Sequence, residues 1–321
     1  LDETNYRVTF KGLAGSEGYW EVTGLEYAVY SVGQQTVTIV IGGDTGSNVV
    51  YDGLPVENTI TEIGAAGITA EDVALDYFTK DESGAWTVEF DGIPVNVGEY
   101  LVRARITNDN YISSSNSYAT ITIVAREVSI VWKVDGVVAA DTQWGSYDGK
   151  THTVTAEYVP VGNDNPEGTT VVPLSVFMTK ALWADGETEL EAFGYAGSYA
   201  FRAEFAEQDN PLKNYVLPEK NTKEYTIAQS PITVTIYDVS RTYGHESLAN
   251  VSSLLTYSVS GNTYGDEESD IFSLSAEVTK TSPVGEYNIV GSFEGTPKGY
   301  NYAVTWNGQS TGIGEWGVFT V

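Results

Sequence analysis

The chain has 321 residues, enough for two or three ordinary domains, and 44 acidic against 16 basic side chains give it a formal charge of −28. That balance excludes a nucleic-acid surface, which needs a basic stripe, and it opposes binding to anionic membranes. With no cysteine there is no disulfide, thiolate metal site or cysteine nucleophile, no apolar run of about 18 residues spans a bilayer, and 41% hydrophobic content is too much for a disordered chain.

In chain order, the opening Leu1-Asp2-Glu3-Thr4 has neither the basic nor the apolar region of a secretory leader. Period-two alternation then dominates, at Thr36-Val37-Thr38-Ile39-Val40-Ile41, Val128-Ser129-Ile130-Val131-Trp132 and Ile232-Thr233-Val234-Thr235-Ile236. Only Thr69 to Leu75 suggests a helical turn or two. Short β-branched and aromatic runs, punctuated by glycine turns about every ten residues, predict an all-β chain of sandwich type.

The chain also repeats itself. Each opening strand leads to a tyrosine turn, at Tyr51-Asp52-Gly53, Tyr147-Asp148-Gly149 and Tyr243-Gly244-His245, spaced 96 residues apart. A Gly-x-Tyr signature follows, ending at Tyr100, Tyr199 and Tyr287, then an Asn-Tyr pair at Asn110-Tyr111, Asn214-Tyr215 and Asn301-Tyr302. A closing strand ends each unit, over Thr120 to Val124, Glu224 to Ile227 and Gly317 to Val321. Gly-x-Tyr reads as a tyrosine corner, in which the hydroxyl folds back onto loop backbone and the ring fills the end of the core. Asn5-Tyr6 to Gly12 mirrors Asn301-Tyr302 to Gly308. The expected boundaries are therefore 1–33, the terminal hairpin of a preceding unit, then 34–125, 126–228 and 229–321. Each of the three full units is expected to close its own hydrophobic interior.

The third unit, with Thr242-Tyr243-Gly244, Leu255-Thr256-Tyr257-Ser258-Val259-Ser260-Gly261, Tyr264-Gly265-Asp266 and Ser282-Pro283-Val284-Gly285-Glu286-Tyr287, resembles the MBG repeats of bacterial surface proteins. The other two, with their Tyr-Asp-Gly openings, are similar to YDG-type and bacterial Ig-like repeats. The resemblance implies tandem immunoglobulin-like β-sandwiches in an elongated rod, extracellular on the bacterial cell surface, serving as stalk or adhesive region. It implies no catalytic residue. The second unit departs from the plain pattern at Gln143-Trp144-Gly145-Ser146 and in an insertion from Val159 to Thr170.

Chemistry-bearing residues are few. His152 and His245 sit beside tyrosine turns and read as surface decoration, and nothing marks a nucleophile elbow. Calcium is the one candidate cofactor, because Asp164 and Glu167, and Asp266, Glu268 and Asp270, place hard oxygen ligands in short loops. Trp144 and Trp183 fall in loop-like contexts where exposed rings could stack on sugars. The sequence thus predicts a non-catalytic, monomeric adhesion or stalk fragment, whose partner is a protein or glycan on a host or neighbouring cell. The alternative is a carbohydrate- or mucin-binding module using those aromatics.

Overall fold

The computed structural model describes residues 33–139, 141–244, 251–293, 298–307 and 313–321. The expected hairpin over 1–33 (except Gly33), with Trp20, and His245 lie outside them. Contacts divide the chain into two compact units. One holds the described residues up to Glu127 together with Val161–Gly168 and Asn210–Val216, and the other holds Val128–Pro160, Thr169–Asp209 and Leu217–Val321. Nearly all regular structure is β, and no helix among the described residues is long and apolar enough to cross a membrane.

The same pairing scheme recurs in the three stretches that the sequence sets apart. The beginning of each stretch runs parallel to the strand that starts at the Asn-Tyr tyrosine. Gln35–Val37 pairs with Tyr111–Ser113, Arg126–Glu127 with Tyr215–Val216, and Ser230–Tyr237 with Tyr302–Trp306. The segment before each tyrosine turn instead runs parallel to the closing strand. Gly46–Val50 lies on Tyr118–Val124, Gln143–Ser146 on Thr222–Ala228, and Val239–Ser240 on Ile313–Thr320. Each opening segment therefore crosses from one sheet to another, and parallel pairing is possible because most of the stretch intervenes before the partner strand. In the third stretch the crossing falls at Asp238, whose carboxylate accepts the Val318 N–H at 2.9 Å. The Gly-x-Tyr strands Gly98–Ile106, Gly197–Glu204 and Glu286–Ser292 lie antiparallel to the same closing strands.

Alternation explains which faces are buried. Ile232, Val234 and Ile236 point inward from Ser230–Tyr237, and Tyr199, Phe201 and Ala203 do so from Gly197–Glu204. As expected, Thr69 to Leu75 holds one helical turn, of 3-10 type over Ala70–Asp72, after which Val73–Lys80 runs on as a strand paired antiparallel to Gly98–Ile106. One local expectation needs correction. In the second stretch the strand expected at Val128 begins at Val131 and turns back at Asp135-Gly136, both at positive φ (49° and 79°), onto Val137–Val138.

The expectation of separate interiors does not hold in the larger unit. Buried side chains from Val134 to Val321, including Tyr199, Phe201, Tyr225, Ile232, Trp306 and Phe319, form one contiguous cluster. Trp183 touches Tyr300 and Tyr147 touches Tyr302, so the aromatic rings carry the apolar interior from the second stretch into the third.

Candidate functional site

The three Gly-x-Tyr tyrosines share one geometry. Tyr100, Tyr199 and Tyr287 donate their hydroxyls to the carbonyls four residues earlier, on Asn96, Tyr195 and Pro283, at 3.0, 2.8 and 2.9 Å. Burial pushes the Tyr199 hydroxyl up to about 12, so it remains a protonated donor across the ordinary pH range. The hydrogen bonds satisfy carbonyls at the strand entry, which is the work of a corner.

The tyrosine turns and the Asn-Tyr pairs, which carry no assigned role in the sequence, meet in two nodes of the same design. In the smaller unit, Tyr51 and Tyr215 both donate to Asp164 Oδ2 at 2.6 Å, and their rings meet edge to face with centroids 5.3 Å apart. In the larger unit, Tyr147 and Tyr302 both donate to Asp266 Oδ2, at 2.9 and 2.7 Å, with rings 5.4 Å apart and again edge to face. Lys298 adds an ion pair to Asp266 Oδ1. Beside each node the asparagine of the Asn-Tyr pair accepts a backbone N–H with its Oδ1. Asn214 takes that of Val97 at 2.9 Å and Asn301 that of Ala196 at 3.0 Å, each three residues before a corner tyrosine.

Glycine permits this closeness. Gly53 and Gly149 adopt φ of 76° and 77° in the tyrosine turns. A Cβ on Gly53 would meet the Val161 carbonyl oxygen at 2.5 Å, and one on Gly149 would meet Tyr264 Cβ at 2.7 Å.

Electrostatics fix the protonation states. Burial first, and the carboxylate second, push the Tyr51 hydroxyl up to about 12 and raise Tyr147, Tyr215 and Tyr302 in the same direction. Burial pushes Asp266 upward, but hydrogen bonds from Lys298, Tyr302 and Tyr147 outweigh it and leave the carboxyl below its ordinary range. Both nodes therefore present neutral phenol donors, and in the larger unit they meet an ionised Asp266. Phenols held protonated are poor bases and nucleophiles, and their hydrogen bonds tie together segments more than 100 residues apart.

The residues singled out from sequence fall differently from expectation. Asp164 and Asp266 lie at the nodes, and Glu268 accepts a hydrogen bond from the Tyr257 hydroxyl at 2.7 Å. Asp270 sits in the single helical turn Glu268–Ile271, where a loop is expected, and Glu167 is exposed. Among the described residues, no three His, Asp or Glu side chains come together as a metal site. Trp144 and Trp183 lie in the strands Gln143–Ser146 and Val172–Trp183, not in loops, and both are partly buried against the larger unit's core. Trp183 packs beside Tyr195 with ring centroids 5.0 Å apart and planes tilted by 45°. His152 is tucked against Asp135, 2.7 Å from Nδ1, and Asp148, 3.3 Å from Nε2, with Phe193 beside its ring.

The first stretch has no equivalent carboxylate. Its turn at Ala66-Gly67, with Gly67 at φ 91°, matches Tyr264-Gly265, with Gly265 at 87°, and both precede a short helical turn. Where Asp266 follows in one, the buried Ile68 follows in the other.

The scheme is that of an all-β chain in which short polar nodes at strand ends fasten successive stretches. The family model of the MBG domain (YGX type) matches residues 232–310, within the third stretch, in agreement with the resemblance carried by its Tyr243-Gly244 turn. No curated protein matches the chain.

Proposed function

We propose that the chain is a non-catalytic part of a bacterial cell-surface protein, made of tandem immunoglobulin-like modules that hold or present an adhesive region outside the cell. The observation that carries this reading is the recurrence of one strand-pairing scheme in three consecutive stretches, the third of which matches the MBG domain model. Nodes built from an aspartate and two protonated tyrosines serve cohesion, which a stalk needs more than a pocket. A charge of −28 adds self-repulsion and keeps such a surface from sticking to anionic neighbours.

Labelling tests the placement. Antibodies raised against this chain should label intact cells, and labelling only after permeabilisation would overturn it. The rod arrangement rests on the tandem order of the three stretches. Three modules with strands of about 33 Å each would extend to about 100 Å and give a radius of gyration of about 30 Å, against about 20 Å for a globule of this length. Small-angle scattering distinguishes the two values.

A further inference from the structure

We infer that the end of the third stretch formed by Tyr243, Gly244 and Val284 is a docking surface for a further module of the same kind, one that presents an aspartate turn and an Asn-Tyr pair. The inference rests on the tandem-module reading and adds a specific surface and partner to it.

The argument is internal to the chain. Tyr51 and Tyr147 are covered, at 2% and 5% exposure, and each donates to an aspartate carried by a later loop. Tyr243 holds the equivalent place 96 residues after Tyr147 and is 58% exposed. Gly244 keeps the φ of its counterparts, at 77° beside 76° and 77°, so the turn already has the docked shape. A Cβ on Gly244 would meet nothing within 4 Å among the described residues, whereas Gly53 and Gly149 are pressed against later loops. The third element agrees. Ala196, whose N–H donates to Asn301, is fully buried, while Val284, also three residues before its corner tyrosine, is 76% exposed.

The chemistry of the occupant follows from the two filled nodes. It must offer a carboxylate to the Tyr243 hydroxyl, a side-chain amide oxygen to the Val284 N–H, and a tyrosine ring to pack edge to face on Tyr243. A second copy of this chain is a poor occupant. Its Asp164 and Asp266 are already engaged, and its first stretch has Ile68 where the carboxylate is needed. The partner is therefore another module with a free aspartate turn.

The test appends a second copy of residues 228–321 directly after Val321. Tyr243→Phe is compared in the 321-residue chain and in the extended chain, alone and together with Asp266→Asn in the added copy, and the unfolding equilibrium is read in urea. In the 321-residue chain Tyr243→Phe should change the equilibrium constant less than about twofold, because its hydroxyl is solvated. In the extended chain Tyr243→Phe should cost about tenfold and the added copy's Asp266→Asn, which also releases its own Tyr302 and Lys298, about thirtyfold or more, and together little more than Asp266→Asn alone. Additive effects, or a neutral Tyr243→Phe in an extended chain whose added copy is folded and protease-resistant, would overturn the docking surface and leave the module reading standing. An added copy that stays protease-sensitive would overturn both.

Discussion

Replacing Asp266 by asparagine removes the charge on which Tyr147, Tyr302 and Lys298 converge while conserving volume. If the amide oxygen faces the two hydroxyls, its NH2 group faces the Lys298 ammonium, donor against donor. If the amide turns over, the tyrosines lose their acceptor. Hydrogen bonds to a charged acceptor contribute about 1.5–3 kcal/mol each, and asparagine retains part of one orientation. The Lys298 pair adds little, about 0–1 kcal/mol, because the lysine is 39% exposed and its charge is screened. The expected loss is about 2–3 kcal/mol at pH 7, or a fall of about 5–10 °C in Tm for a unit of this size. Urea titration followed by fluorescence should show a lower midpoint at unchanged slope. The pH dependence has a definite sign. The folded state lowers the Asp266 pKa, so its contribution is fully present above the ordinary carboxylate range and disappears as pH falls through the folded-state value. Wild type and Asp266→Asn should therefore converge in strong acid. A variant within 0.5 kcal/mol of wild type at pH 7, or a gap that persists unchanged at low pH, would refute the account of the node.

Further outcomes follow from the same geometry. Tyr199→Phe should cost about 1–2 kcal/mol by calorimetry, because a partly buried carbonyl loses its donor, and Tyr287→Phe, whose corner is exposed, should cost less. Gly291→Ala places a Cβ 2.4 Å from the buried Trp306 ring and should lower stability by about 1–3 kcal/mol in chemical denaturation. Gly149→Ala combines positive φ with a collision at Tyr264, whereas Gly244→Ala meets only the conformational penalty of about 1 kcal/mol, so their melting temperatures should separate clearly. Trp183→Ala should behave as a core truncation, with a loss of about 2–4 kcal/mol in urea and no selective effect on glycan binding measured below its melting temperature.

Much of the architecture was legible because strand alternation and turn glycines are local. The Gly-x-Tyr corner is also local, closing over four residues, and its role could be read from its spelling. The nodes were not legible. Tyr51 and Asp164 are 113 residues apart, and Tyr147 and Asp266 are 119 apart. Within the later stretches the aspartate precedes its tyrosine by 51 residues in one and 36 in the other, so loop-length drift hides the correspondence. The same aspartates, seen only as acidic loops, suggested calcium, and the tyrosines seen only as turn markers suggested nothing about a partner. Trp144 and Trp183 looked like loop residues because glycines and polar residues flank them, yet their backbones pair in strands and their rings pack against the core.

What the sequence determined by itself was the β class, the order of the markers and the corner, all set by interactions a few residues long. Only the tertiary structure decided that the second and third stretches share one buried cluster, and that aspartate meets two tyrosines at each fastening point. Those outcomes depend on which distant loops arrive at the same place, and a carboxylate finds its donors through the fold, whatever the spacing along the chain.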